Sequence, residues 1–435
     1  MTWEQPRCDG DGRDGNDSEE TRGMSEEAVR AGEVIIVGGG MVGATLACLL
    51  GEAGVDVTLL DARPTPLDAE GAGRGLPERR VSALTPVSQR LLEGLGAWEW
   101  MRERRVTPYY GMRVWDAEGT GEVGFSAEEA GLPVLGHIVE NAVVGAALEA
   151  RLARLPTVTH RLGARVTGLA AGPVGRELAL ADGERLTAPL IVAADGARSP
   201  LRELAGIEVT AHDTGQVAVV TTVRTAEPHG GVARQAFLAD GPLAFLPLTV
   251  EHDDHYCSIV WSTTPQAAER LCNLSAEALG AALTTAFAGR LGKVEAVDGG
   301  QAVPLTQRHA ERYVLPGLAL VGDAAHSIHP LAGQGVNLGL MDAAVLAEEL
   351  LTARRRGIEG GSLAWLERYA RRRRGDNAAM LKLMDGFRLL FGARHPALTL
   401  ARNIGLSGVD RLSPLKRLLM QQAAGRRGRL PVSCR

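Results

Sequence analysis

The chain has 435 residues, 45% of them hydrophobic and 23% charged, which is enough for one large or two medium cores. Its formal net charge of -5 argues against a nucleic-acid partner, which normally leaves a basic footprint. Five cysteines (Cys8, Cys48, Cys257, Cys272, Cys434) without a C-x-x-C pair or histidine spacing suggest neither a disulfide framework nor a zinc site, and fit a cytoplasmic protein.

Residues 1–32 are acidic, Gly-rich and unlike a secretory signal, so a disordered extension is expected, with Met24 an alternative start. From Glu33 to Asp61 the pattern predicts a βαβ unit: apolar Val34 to Val37, a Gly-rich turn, a helix over Ala44 to Glu52, and apolar Val55 to Leu60. Continuous apolar strands of this kind belong to a parallel sheet with both faces covered. Two further buried strands, Leu190 to Ala194 and Leu318 to Val321, run into Asp195-Gly196 and Gly322-Asp323. Three strand-to-turn junctions can therefore meet at one sheet edge. Between them, residues 215–261 hold short β-rich runs (Val217 to Val223, Ala233 to Leu238, Leu243 to Leu246, Tyr256 to Trp261), which predict an inserted antiparallel sheet. Ser275 is read as the cap of a helix reaching about Gly289. Residues from Ala343 onward read as helical, with the arginine clusters 354–356 and 371–374 on solvated faces.

Gly38-Gly39-Gly40-Met41-Val42-Gly43 matches G-x-G-x-x-G directly after a strand, where glycines let a pyrophosphate approach a helix N-terminus. A second copy, Gly10 to Gly15, has no strand before it and is set aside. Asp61 ends the second strand where a carboxylate accepts hydrogen bonds from a ribose diol. The turn alone does not choose between NAD and FAD. Gly322-Asp323-Ala324-Ala325-His326, followed by Pro330-Leu331-Ala332-Gly333-Gln334-Gly335-Val336-Asn337 and a helix, favours FAD, because such a helix start stabilises the negative charge of a reduced flavin.

These three junctions resemble the fingerprints of the single-component aromatic hydroxylases with the p-hydroxybenzoate hydroxylase fold. Within them, Arg80 to Leu84, Leu135 to Asn141 and His329 to Gly335 resemble the FAD-dependent hydroxylases of ubiquinone biosynthesis (UbiH/UbiF/VisC type). Tyr110 to Asp116, Glu227 to His229 and Cys257 to Ser262 further resemble the VisC type, the 2-polyprenylphenol hydroxylases. The resemblance spans roughly residues 33–425. It implies an α/β protein: a Rossmann-type FAD-binding domain (33–108, 137–208, 299–350), an inserted antiparallel β-sheet substrate domain (109–136, 209–298) and a helical C-terminal region, 351–435.

The resemblance also implies an NAD(P)H:oxygen monooxygenase, in which a flavin hydroperoxide hydroxylates a polyprenylphenol and the cofactor carries the difficult chemistry. By that resemblance Gly38, Gly40, Met41, Val42 and Gly43 face the pyrophosphate, Asp61 the adenosine ribose, and Arg80 the cofactor's polar chain. Asp323 faces the ribityl or pyrophosphate region and Gly335 to Asn337 the flavin ring, with Gly322, Pro330 and Gly333 among the cofactor-binding residues and Pro330 in the turn beside the ring. Asp195 and Gly196 stand behind the cofactor. Phe237, Phe245, Pro247 and Trp261 on the β-rich insert are the substrate-contact candidates, while Pro330, Leu331 and His326 are the candidates nearest the chemistry. No metal is expected. A homo-oligomer, a ubiquinone-biosynthesis complex and a peripheral membrane or lipid-binding partner are all compatible with the sequence. Pro414 to Met420 could form a basic amphipathic helix suited to such a contact. Three rival readings share the cofactor motifs: a hydroxylase of another aromatic compound, a flavin reductase, and a structural flavoprotein.

Overall fold

The computed structural model describes residues 28–172, 174–296, 298–328 and 335–392, together with 420, 425 and 428–435. A six-stranded sheet lies at its centre, in the order Val314–Leu315, Leu318–Leu320, Leu190–Ala193, Val34–Val37, Val57–Asp61, Val158–Leu162. All pairs are parallel except the first, a short hairpin. Val34–Val37 and Leu190–Ala193 are buried at every position, as strands covered on both faces must be. The helices Met41–Glu52, Asn141–Leu152 and Gly335–Arg355 contribute Leu46, Leu50, Val144, Leu148, Leu340 and Leu346 to the same core.

The second large element is a nine-stranded sheet whose pairs are antiparallel except for Val232–Leu238 with Gly111–Asp116. The β-rich runs expected from sequence all lie in it, as parts of Val209–Thr225, Val232–Leu238, Gly241–Val250 and Asp253–Thr263. One face carries Val219, Val223, Leu243, Phe245, Cys257 and Ile259, and is closed by Pro265–Cys272 and Ala276–Ala286. Ser275 caps the latter helix, accepting from Ala278 N at 3.2 Å. The other face meets the antiparallel pair Val81–Leu84 and Gly136–Glu140 through Leu246, Leu248 and Tyr256 packed on Ala83 and Ile138.

Three expectations require correction. Val29–Arg30 pairs with Arg185–Ala188, so ordered structure begins before residue 33; residues 1–27 lie outside the described residues. The strand Gln301–Ala310 pairs with Val209–Thr225 and so belongs to the nine-stranded sheet, which moves the domain boundary from 298 to about residue 310. Its apolar alternation does not reveal which sheet completes its ladder. Finally, the 371–374 cluster is not a solvated face throughout: Arg373 is buried against Asp342, and Arg372 bridges Glu348 and Glu349 at 2.9 Å. Arg354 also pairs, at 3.2 Å, with Glu33.

Candidate active site and cofactor cleft

The strand Val34–Val37 ends at Gly38, whose φ of 111° strains any other residue; a methyl there would lie 2.2 Å from Ala194 O. Gly43 is equally enclosed, with Gly38 O 1.9 Å from an added methyl. At Gly40 nothing would come within 4 Å, and the helix Met41–Glu52 begins there without a side-chain cap. Two glycines thus close the turn against protein, and the third leaves uncapped amides facing open space, a ready anion site. Met41 opens the helix, and Val42 turns back against Gly322 and Gly339.

Asp61 stands beside this turn, its Oδ2 2.3 Å from where a methyl on Gly39 would sit. Arg63, which sequence reasoning did not select, holds both its oxygens: the backbone N–H donates to Oδ1 at 2.9 Å and Nη2 to Oδ2 at 2.7 Å. Glu149 braces the same guanidinium at 3.4 Å. A carboxylate has about four acceptor positions, so Asp61 keeps capacity for a ribose diol. The cation two residues beyond the strand-ending acid was the available signal.

The second junction lies directly behind the first. Asp195 Oδ2 accepts from Leu201 N at 3.1 Å, whereas its buried Oδ1 has no partner, and burial raises the carboxyl pKa. Gly196 adopts φ 85° with open space beside it. At the third junction Gly322 has φ 59°, and Asp323 remains exposed while the protein crowding it raises its pKa; the nearby Arg80 charge opposes that rise. Arg80 is itself exposed, in a loop fixed by a buried ion pair that sequence reasoning also missed. Arg105 Nη1 meets Glu140 Oε1 at 2.9 Å, Arg105 Nη2 donates to Gly75 O at 2.6 Å, and Glu140 Oε2 accepts from Glu78 N at 2.7 Å.

The helix Gly335–Arg355 opens with Gly335, whose added methyl would meet, among the described residues, only Ile328, at 3.9 Å. Val336 packs on the main core. Asn337 commits its side chain to protein: Oδ1 accepts from Thr85 N at 3.0 Å and Ser88 Oγ at 2.7 Å, and Nδ2 donates to Ala83 O at 2.8 Å. That leaves its backbone, rather than its amide, for the flavin contact expected from sequence. Pro330, Leu331 and Gly333, with His329, lie outside the described residues.

His326 does not point into the cleft as an acid or base would. It is 1% exposed, and its Nε2 lies 2.5 Å from Asp342 Oδ2. The substrate candidates divide by strand parity. Phe245 is stacked on Phe287 at 3.7 Å under the covering helices, and Trp261 packs into the same cluster. Pro247, two residues on from Phe245, takes the same helix-covered face. Only Phe237 takes the opposite face, where it packs on Val114 and Val123. Alternation marks two faces without saying which one a helix will cover. On the face opposite the covering helices, Ala218, Val220 and Leu305 are buried and, with Val260 and Val303, form an apolar strip. Ser327, on the strand that pairs with Gln301–Ala310, donates to Thr306 O at 3.4 Å, next to Leu305 of this strip.

An uncapped helix start, a carboxylate beside it and an exposed acid facing an arginine are the partners that a pyrophosphate, an adenosine ribose and a ribityl chain require, so the residues fit FAD. The FAD binding domain family matches residues 31–383. The chain is 42% identical over 394 residues to the 3-demethoxyubiquinol 3-hydroxylase of Escherichia coli (strain K12), covering 90% of this chain and 98% of that one. The chain belongs to the FAD-dependent hydroxylases of ubiquinone biosynthesis. This hydroxylase is also 40% identical over 403 residues to the ubiquinone hydroxylase UbiL of Rhodospirillum rubrum, covering 92% and 91% of the two chains. In fold it is similar to the p-nitrophenol 4-monooxygenase of Pseudomonas putida DLL-E4, with a TM-score of 0.72 at 21% identity over 92% of this chain and 100% of that one. The α/β architecture with an inserted sheet, the FAD cofactor and the monooxygenase class read from sequence therefore hold. Among the described residues no helix is long and apolar enough to cross a membrane.

Proposed function

We propose that this hydroxylase adds one oxygen atom from O2 to the aromatic ring of a polyprenyl-bearing phenol or quinol, with NAD(P)H as the transient reductant. The observation that carries this reading is the apolar strip Ala218, Val220, Val260, Val303 and Leu305, which takes two of its members from the strand Gln301–Ala310 that pairs with His326–Ser327 of the third junction. FAD, when bound, supplies the redox chemistry that activates O2. Gly38, Gly40 and Gly43 would seat the pyrophosphate through the amides of Met41 and Val42, and Asp61 and Arg63 would hold the adenosine end. Arg80 and Asp323 would hold the polar chain, with Gly322 behind it, while Gly335 and Val336 would present backbone to the ring. The apolar strip would exclude water and align the phenol, and Phe237 would extend the wall toward the sheet edge. An apolar wall without an acid or base suits a reaction whose hard step belongs to the cofactor.

The Escherichia coli relative's name favours a 3-demethoxyubiquinol substrate, while the motifs Tyr110 to Asp116 and Cys257 to Ser262 favour a 2-polyprenylphenol. Both lipids call for an apolar entrance, which contact with a membrane or a lipid-binding partner would provide. Pro414 to Leu419 lie outside the described residues, and Met420 is buried. The test is turnover of the FAD-loaded protein with NADPH or NADH, isotopically labelled O2 and each lipid in detergent. A ring product carrying one labelled oxygen supports the reading and names the substrate. Flavin reduction without labelled product from either lipid would instead support a reductase.

A further inference from the structure

The third cofactor junction is held by a carboxylate that no part of the proposed chemistry uses. Asp342 is fully buried on the helix Gly335–Arg355, and four donors occupy its two oxygens. Oδ2 accepts from Gly322 N at 3.0 Å and lies 2.5 Å from His326 Nε2; Oδ1 accepts from Arg373 Nε at 2.7 Å and Asn377 Nδ2 at 3.2 Å. Two of these donors flank Asp323 in the chain, and two come from the helix Leu363–Gly392. One turn earlier, Gly339 is pressed so closely on Val42 and Gly322 that a methyl would lie 2.6 Å from Val42 Cγ2 and 3.2 Å from Gly322 Cα. The first and third junctions are therefore locked against one helix, and Asp342, paired with Arg373, is the buried carboxylate at that lock.

Gly322 is buried at φ 59°, which glycine adopts freely, so its buried N–H rather than backbone strain is what the turn must satisfy. Asp342 captures it, and His326 fixes the far side of the same turn. Arg373 and Asn377 fix Asp342 in turn: Arg373 Nη2 also donates to Asn377 Oδ1 at 2.8 Å, and Asn377 Nδ2 reaches Tyr313 Oη at 3.3 Å. We propose that Asp342 is a positioning residue for FAD, setting the Gly322–Asp323 turn, and that Arg373 and Asn377 make cofactor affinity depend on the C-terminal helix. This rests on FAD contacting that turn.

The test compares Asp342→Asn, Asn377→Ala and Asp323→Ala, with Glu122→Gln as a control at an ion pair of the nine-stranded sheet, where Glu122 meets Arg290 at 3.0 Å. Each apoprotein is titrated with FAD by fluorescence quenching, its thermal midpoint is measured without cofactor, and the visible circular dichroism of bound flavin is recorded. Asp342→Asn is expected to weaken FAD binding by about tenfold or more and change the flavin dichroism. Asn377→Ala, which keeps the charge pair intact, is expected to weaken it by about threefold. Equal FAD affinity and dichroism in Asn377→Ala and Asp342→Asn, with only the apoprotein midpoint lowered, would overturn the proposal. Should Asp342→Asn fail to fold, Asn377→Ala decides alone: FAD affinity and dichroism equal to those of the unaltered protein would overturn the proposal. If Asp323→Ala binds FAD normally, the reading of the turn as a cofactor site fails first; if it does not while the other two do, only the positioning role fails.

Discussion

At Gly38 the backbone and the neighbouring chain make the same demand, since the left-handed φ and the 2.2 Å approach to Ala194 O both exclude a side chain. Gly38→Ala combines a left-handed strain of about 1–2 kcal/mol with a backbone overlap, so the purified variant should retain under about a tenth of the flavin. The ratio of flavin to protein absorbance checks this. Asp342 gives the corresponding expectation for pH. Although burial alone would raise it, His326 and Arg373 hold its carboxyl from an ordinary 3.8 down to about 2. A group whose folded pKa is depressed adds stability that is complete above the unfolded value and is lost as pH falls through the folded one. Between about pH 4 and 2 the protein should therefore lose on the order of 2 kcal/mol through this group. Urea unfolding across that window should show a shallower acid dependence for Asp342→Asn; an unchanged slope would refute the assignment. The conservative features of these residues were visible beforehand only in part. G-x-G-x-x-G named Gly38 from local spacing, whereas the partners of Asp342 lie 16 to 35 positions away, beyond any local pattern.

The nine-stranded sheet shows what period-2 alternation can and cannot say. Every strand of the 215–261 insert was legible, because β-branched runs broken by Gly, Pro and Asp report a pleated surface directly. Which face the covering helices would choose was not, and Phe245, Pro247 and Trp261 were placed at the substrate for that reason. Phe245→Ala should cost about 3 kcal/mol or more of stability through the lost stack on Phe287. The milder Phe245→Leu should leave the substrate KM unchanged. On the opposite face Val260→Phe, which fills space beside Ala218 and Val220, should raise the phenol KM by about tenfold with little change in FAD affinity. Steady-state kinetics on the two variants separates the faces; a KM rise in Phe245→Leu would reverse the assignment. The C-terminal helices teach the same lesson with charge. Arg372 and Arg373 look like a solvated run, yet the partners Glu348, Glu349 and Asp342 on the preceding helix draw them inward.

Over the whole molecule the proposed cofactor site draws on segments near residues 38, 61, 80, 195 and 322, so ligand binding there should stabilise the fold as one unit. FAD at a hundred times its Kd should add about 2.7 kcal/mol. Calorimetry should show a single transition moving upward with FAD concentration, whereas a transition that splits, with only one part moving, would mean that the two sheets unfold independently. The sequence by itself determined the βαβ unit, the glycine cradle, the inserted sheet and the FAD-hydroxylase family, because each is written in neighbouring residues whose spacing reflects backbone geometry. Only the tertiary structure decided the allegiance of Gln301–Ala310, the buried pairs Arg105–Glu140 and Arg373–Asp342, and which face of the long sheet the helices Pro265–Cys272 and Ala276–Ala286 cover. Those depend on contacts between residues far apart in the chain, where burial and charge pairing override the preference of any single segment.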